Sequence, residues 1–435
     1  MHYLSTRSSS AAVNLVTALR RSLAPDGGLY VPESIPPFDL AQCSEEWTLV
    51  DTATALLTPY FAGSPLQHDL AALCSEALDL PLPLVPFETD QSWVLELFHG
   101  PTAAFKDYAA RFLAACMARL RAANEPIQTV IVATSGDTGG AVASAFHRRA
   151  GFRVVILYPE GRVSARQAHQ LGAFGDNIHT FRIQGNFDDC QRLAKRALND
   201  PSLNQCLNLT SANSISIGRL LPQITYYAHA SMALWRKLDQ PVDVIVPTGN
   251  LGNALACVLA REMGWPIGEV VLASNANRTL PDYFSGQDYR GRPGLATLAN
   301  AMDVGDPSNF ERLAWVYRDR DLRDAHIRSV SIDDDTIRDT IASVDREQGM
   351  ALCPHTACAV AALRERRRAG YSTPHLIAAT AHPAKFDEVV EPIVGRRMPP
   401  PPALAELLNR PSKAQALHSD FDGLDRVLKD LAQSG

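Results

Sequence analysis

Four short loops in this 435-residue chain combine residue types that could do chemistry. In the first, 99–107 (HGPTAAFKD), Lys106 follows two alanines and Phe105 at the expected start of a helix. Most single lysines are solvated surface residues. Here apolar flanks and a helix N-terminus would both lower the amine's pKa, making it a Schiff-base nucleophile and a proton carrier. The second loop, 134–140 (TSGDTGG), sets backbone N–H groups and the hydroxyls of Ser135 and Thr138 where a carboxylate could bind. On its own it is equally a plain turn. Ala133 stands where a nucleophile elbow needs its first glycine. The third, 248–253 (TGNLGN), has the composition of a phosphate cradle. It lacks both the GK[ST] of a Walker loop and the GxGxxG of dinucleotide sites, so a smaller phosphorylated cofactor is expected. The fourth, 380–386 (TAHPAKF), has polar residues that could cap a helix as readily as touch a ligand.

Other candidates carry less. Glu96 and His99 are spaced ExxH, but no second pair exists for a di-iron site and no HExxH occurs, so no metal site is expected. His355 has the setting of a core or turn histidine, and RERRR at 364–368 that of a solvated helix face.

The elements that must position these loops follow from hydrophobic periodicity. Segments 93–98, 129–134, 153–158, 242–248, 268–274 and 375–380 are predicted strands, and 107–122, 141–150, 189–199, 219–236 and 254–263 predicted helices. Such alternation argues for an α/β architecture with parallel sheets, in which ligands bind beyond the C-terminal strand ends. Residues 1–90 are expected to be mainly helical, with a strand at 3–6 and helices at 12–23, 49–61 and 67–79. The Pro-rich stretch 81–86 is an expected boundary, and the tail 399–435 opens with prolines and then turns helical. The first 25 residues lack acidic side chains, as transit peptides do, but the turn Pro25-Asp26-Gly27-Gly28 favours a folded segment.

Composition narrows the function classes. With 41 Lys plus Arg against 47 Asp plus Glu, the net charge is −6, which argues against nucleic acid as the main partner. No apolar run reaches the length of a membrane span. The eight cysteines form no CxxC pair, which fits buried thiols in a reducing cytoplasmic setting.

Taken in order, YLSTRS, PDGGLYVPE, FHGPTAAFKD, ATSGDTGG, LYPEGRVS, FDDCQ, SANSISIGR, VPTGNLGN, NAMDV, PHTA and ATAHPAKF give a chain that resembles threonine synthase in its long bacterial and fungal form. The resemblance covers nearly the whole chain and implies fold type II of pyridoxal-phosphate (PLP) enzymes, the tryptophan-synthase-β type. Two parallel-sheet α/β domains would then join a mainly helical N-terminal domain. The expected limits are 1–90, a smaller domain at 91–212, a larger one at 213–398 and a helical tail at 399–435.

The resemblance further implies that Lys106 carries the cofactor as a Schiff base, with Phe105 beside it. Gly249, Asn250, Leu251, Gly252 and Asn253 would hold its phosphate, Thr380 would face its ring nitrogen, and Asp137 would lie near its 3-oxygen. Ser135 and Thr138 would bind the substrate carboxylate, and Asn213, Ser214 and Arg219 its phosphate. The family pattern has Asn at Ser216, and Phe and Asp at Leu251 and Asn253, so those positions depart from it. The implied reaction turns O-phospho-L-homoserine and water into L-threonine and phosphate by β,γ-replacement, in a monomer or homodimer. Its rivals are a phospho-lyase or dehydratase on the same fold, and a non-catalytic regulatory protein that binds PLP or phosphate.

Overall fold

Runs such as Val242–Pro247, buried at every position, cannot lie on a half-solvated sheet and call for helices on both faces. In the computed structural model, which describes residues 1–122 and 124–433, they form two largely parallel sheets. The larger sheet has the order Ile327–Ser331, Ile267–Ser274, Val242–Pro247, His375–Ala379, Thr89–Glu96 and Leu84–Phe87. Only the last of these runs antiparallel to its neighbour. The smaller sheet, parallel throughout, has the order Gln415–His418, Ile178–Gln184, Phe152–Pro159, Gln128–Ala133 and Leu209–Ser211.

Three expectations change here. The strand expected at 93–98 runs from Thr89 to Glu96 and pairs with His375–Ala379, so it belongs to the larger sheet. The Pro-rich boundary is itself partly strand, Leu84–Phe87, at a sheet edge where a proline's missing N–H is tolerated. The tail keeps helices at Pro402–Leu408 and Phe421–Gln433 but also supplies Gln415–His418 to the smaller sheet. Phe421, Leu424 and Leu428 then pack with Cys190, Leu193 and Leu203 in that lobe's core. Periodicity reports a strand's faces, whereas its partner is fixed by contacts hundreds of residues away.

The N-terminal unit holds the strand pair Tyr3–Ser5 and Tyr30–Pro32 and helices Leu15–Arg21, Leu49–Phe61 and Leu70–Leu78. A capping box, Thr48 with Asp51, starts the second of these helices. The core shared by this unit and both lobes includes Tyr60, Phe112 and Tyr227, each fully buried. Among the described residues no helix is long and apolar enough to cross a membrane, and all eight cysteines are free thiols.

The basic run at 364–368 also departs from expectation. Arg364 lies at the surface with Glu88 and Glu347, but Arg366 is buried beneath the larger sheet. It donates to Asp243 Oδ2 at 2.8 Å, Glu269 Oε2 at 2.5 Å and His375 Nε2 at 3.0 Å. His375 accepts because burial and the neighbouring arginines push its pKa down to about 4, leaving the ring neutral. One guanidinium thus ties helix Pro354–Arg368 to three strands. Arg366→Ala leaves the Asp243 carboxylate buried and unpaired, a loss of about 3–5 kcal/mol. Urea unfolding is expected to show a correspondingly lower midpoint, and an unchanged midpoint would refute the clasp.

Candidate active site

The loops at the ends of strands Thr89–Glu96 and His375–Ala379 are laced together. Leu97 N donates to Ala379 O, Phe105 N to Thr380 O and His382 N to Ala103 O. Lys106 therefore emerges beside Thr380. Asp107, buried behind it, accepts from Thr102 N at 2.8 Å and Thr102 Oγ1 at 2.6 Å, which pins the loop. A side chain at Gly100 would meet that carboxylate at 2.4 Å, so only glycine fits.

The 134–140 loop is ordered by Thr134, whose hydroxyl accepts from Gly136 N and Gly139 N, both at 2.9 Å. Gly136 has φ +124°, a conformation side chains rarely adopt, and a Cβ there would sit 2.6 Å from Gln167. Gln167 in turn donates to Asp137 Oδ1 at 2.9 Å. Ser135 and Thr138 are left lining the cavity.

In the 248–253 loop, a Cβ on Gly249 would lie 2.7 Å from Met302 Cα. Leu251 takes a left-handed conformation, φ +65°, to start helix Gly252–Glu262. Asn253 Oδ1 accepts from the hydroxyls of Tyr226 at 2.5 Å and Tyr227 at 3.0 Å, while its Nδ2 has no protein partner. An asparagine so oriented keeps a donor that an aspartate would lack.

The 213–219 segment crosses beneath. Asn213 donates to Ala133 O at 2.6 Å and accepts from Ala133 N at 3.2 Å, so its amide is engaged by the strand end. Asn250 Nδ2 donates to Ser214 Oγ at 2.6 Å, joining the third loop to this one. Arg219 is buried and donates to Ala212 O at 2.6 Å, but its Nε has no partner. Ser216 Oγ is likewise buried without one.

All fourteen expected site residues line one cavity with about 880 Å³ of space, partly open to solvent. The amides of Asn213 and Asn250 hold loops together there instead of standing free. Four helices begin at this cavity, at Lys106, Asp137, Ile217 and Gly252; none is capped by the side chain of its own N-cap residue, although in the second Thr134 takes the first-turn amide of Gly139. Two further helices reach the cavity through Phe187 and His355 and are capped, by Asn186 and Cys353, as Thr48 and Asp333 cap helices elsewhere. Uncapped amides and aligned dipoles from four directions make a field suited to anions.

Charge follows the same pattern. Burial, with Lys385 and Arg219 nearby, pulls the Lys106 pKa down to about 8 against the pull of Asp137. Burial works against the Asp137 carboxylate, but Lys385 and Lys106 together hold it well below the usual carboxylate range. Arg219 falls to about 10, mainly through burial.

Several neighbours carried no site role in the sequence. His355 lines the cavity, and its Nε2 accepts from Ala301 N at 3.1 Å. Burial pushes its pKa down to about 4, so the ring is neutral, and that acceptor role assigns its proton to Nδ1. Arg312, fully buried, donates to Tyr30 O, Ser214 O, Ile215 O and Asn309 Oδ1, tying the N-terminal unit to the 213–219 segment. The NAMDV and PHTA motifs were the available signal for Ala301, Met302 and His355. Nothing local marked Arg312. Glu96 and His99 pair with each other at 2.7 Å, and among the described residues no group of three metal-ligating side chains is assembled.

Comparison with known proteins bears directly on this site. Residues 81–380 match the family described as pyridoxal-phosphate dependent enzyme. Residues 2–78 match the threonine synthase N terminus and 356–428 the threonine synthase C-terminal family. Threonine synthase of Serratia marcescens is 38% identical over 421 residues, covering 96% of this chain and 97% of that one. The crystal structure of threonine synthase from Escherichia coli superposes with TM-score 0.93 at 35% identity, covering 99% of this chain and 100% of that one. The PLP-bound threonine synthase of Brucella melitensis superposes with TM-score 0.90 at 34% identity, over 100% of both chains.

The glycine contacts make the third loop testable. Gly249→Ala drives a methyl group into the backbone at Met302, an overpacking cost of about 1–3 kcal/mol that the loop must absorb by moving. The variant is expected to fold but to lose pyridoxal phosphate on dialysis, followed by visible absorbance. Full retention would show that this loop does not cradle the phosphate.

Proposed function

The chain belongs to the threonine synthase family, and from that premise we propose how its residues divide the work. The enzyme is PLP-dependent and forms L-threonine and phosphate from O-phospho-L-homoserine and water. The cavity fits the cofactor. Gly249 leaves room where any Cβ would collide, and helix Gly252–Glu262 offers uncapped amides beside the unpartnered Nδ2 of Asn253. That corner, Gly249 to Asn253, holds the cofactor phosphate in our reading. Thr380 would meet the cofactor's ring nitrogen and Asp137 would lie near its 3-oxygen, with Phe105 beside Lys106. When bound, the cofactor supplies an electron sink that acidifies the carbons next to the substrate's amino group.

The remaining roles belong to side chains. Lys106 holds the cofactor covalently, and the amine released when substrate takes its place moves protons at the α and then the β carbon. A pKa near 8 leaves a useful fraction of that amine unprotonated near neutral pH. Ser135, Thr138 and the amides starting helix Asp137–Phe146 hold the α-carboxylate. Arg219 grips the substrate phosphate with the 213–216 backbone and Ser214, while Asn213 fixes that segment to Ala133. The observation that carries this division is the orphaned Nε of Arg219, a buried cationic donor lining the same cavity as the glycine cradle but belonging to a different loop. The N-terminal unit and the two lobes work together as one catalytic body, with the tail attached to the smaller lobe. A small-molecule substrate, no nucleic-acid partner, a cytoplasmic setting and a monomeric or homodimeric state complete the proposal, supported by the net charge of −6 and eight free thiols.

Two experiments test it. Both the synthase and the phospho-lyase routes release phosphate, so the organic product separates them. In oxygen-18 water the expected product is threonine labelled at its hydroxyl, and dominant 2-oxobutanoate would assign the phospho-lyase route instead. Arg219→Ala leaves the substrate's phosphate without its charge-assisted partner, costing about 2–5 kcal/mol in kcat/KM. The variant should keep its yellow colour. Loss of colour with kcat/KM preserved would mean that the two phosphate sites are exchanged.

A further inference from the structure

Two lysines approach Asp137, and the family motif that contains the second, HPAKF, has no role in the division above. Lys385 is buried, with 1% of its side chain exposed against 16% for Lys106. It does not line the cavity. Its ammonium donates to Asp137 Oδ1 at 2.8 Å and to Thr102 O at 2.8 Å, whereas Lys106 Nζ stands 3.9 Å from Asp137 Oδ2. The carboxylate is also held by Gln167. One end of Asp137 is therefore fully engaged by Lys385 and Gln167, and the other is presented to Lys106 at a distance.

We propose that Lys385 is a positioning residue acting through Asp137: it fixes that carboxylate and balances its charge, and so sets the pH at which Lys106 and its link to the cofactor take up a proton. The inference rests on Lys106 being the cofactor lysine. The groups facing Lys106 are Asp137 on its helix, Lys385 after strand His375–Ala379, Arg219 from the long helix Ile217–Leu238, and Cys353 and His355 at the start of helix Pro354–Arg368. His355 is neutral and the Cys353 thiol is pushed up by burial, so neither carries charge near neutral pH. Asp107 and His382 also feel Lys385, but Asp107 is engaged by Thr102 and His382 is neutral. The sign follows. With Lys385 present, Asp137 is already neutralised and Lys106 gives up its proton easily. With Lys385 gone, the unbalanced anion faces Lys106 alone and stabilises its protonated form.

The test uses the holoenzyme. Visible absorbance of the Lys106–cofactor imine is titrated against pH in wild type, Lys385→Met and Lys385→Gln, and borohydride reduction with peptide mapping locates the link in each. The midpoint should rise by about one pH unit or more in both variants. Lys385→Gln retains an N–H donor for Asp137 and provides the measurement where the methionine variant does not fold. Adding Asp137→Asn to Lys385→Gln should bring the midpoint back down. A label on Lys106 with an unmoved midpoint overturns the role of Lys385. A rise that Asp137→Asn does not reverse overturns action through Asp137. A label on another peptide overturns the assignment of Lys106 itself and this inference with it.

Discussion

Four helices begin at one cavity with no cap from their N-cap side chains, and the rest of the structure is arranged around that shared demand for negative charge. A missing cap costs about 1 kcal/mol per helix, and here four such ends are gathered in one place. Parallel sheets make the gathering unavoidable. Every strand of such a sheet ends on the same edge, and the connection that follows starts a helix there. The two lobes turn those edges toward each other, so the same topology that builds the core also builds an anion site.

Side-chain charge reinforces the backbone. Lys385 and Arg219 are buried around the cavity and Lys106 nearly so, against only two buried carboxylates, Asp137 and Asp107. Asp137 is matched by Lys385, and Asp107 is turned back to hold Thr102. What remains is a positive interior that a phosphorylated cofactor and a phosphorylated, carboxylate-bearing substrate would neutralise. The depressed pKa of Lys106 belongs to the same balance, because burial among cations favours the free amine that the chemistry needs.

The N-terminal unit is coupled to this interior through Arg312. Its guanidinium has no acidic hydrogen-bond partner among the described residues and is satisfied by carbonyls from Tyr30, Ser214 and Ile215. Displacing the N-terminal strands would strand that buried charge and loosen the segment that carries Arg219. Asn250 makes the corresponding tie between the 248–253 and 213–219 loops through Ser214.

The sequence by itself carried which residues would line the cavity. Lys106, Ser135, Thr138 and the glycines of TGNLGN were legible because each sits in a short motif whose spacing determines a turn and a helix start, and such geometry is local; the roles of Arg219 and Thr380 came only from the family resemblance. Strand and helix periods were legible for the same reason. Tertiary structure decided what depends on partners far along the chain. It placed strand Thr89–Glu96 in the larger sheet and Gln415–His418 in the smaller, buried Arg366 in a run that looked solvated, and turned His355 toward the cavity. It also set Lys385 on Asp137 across 248 residues of sequence (385 − 137). No local pattern can encode such pairs, because the burial that makes a charge pair strong exists only once both segments have been brought together and water has been removed.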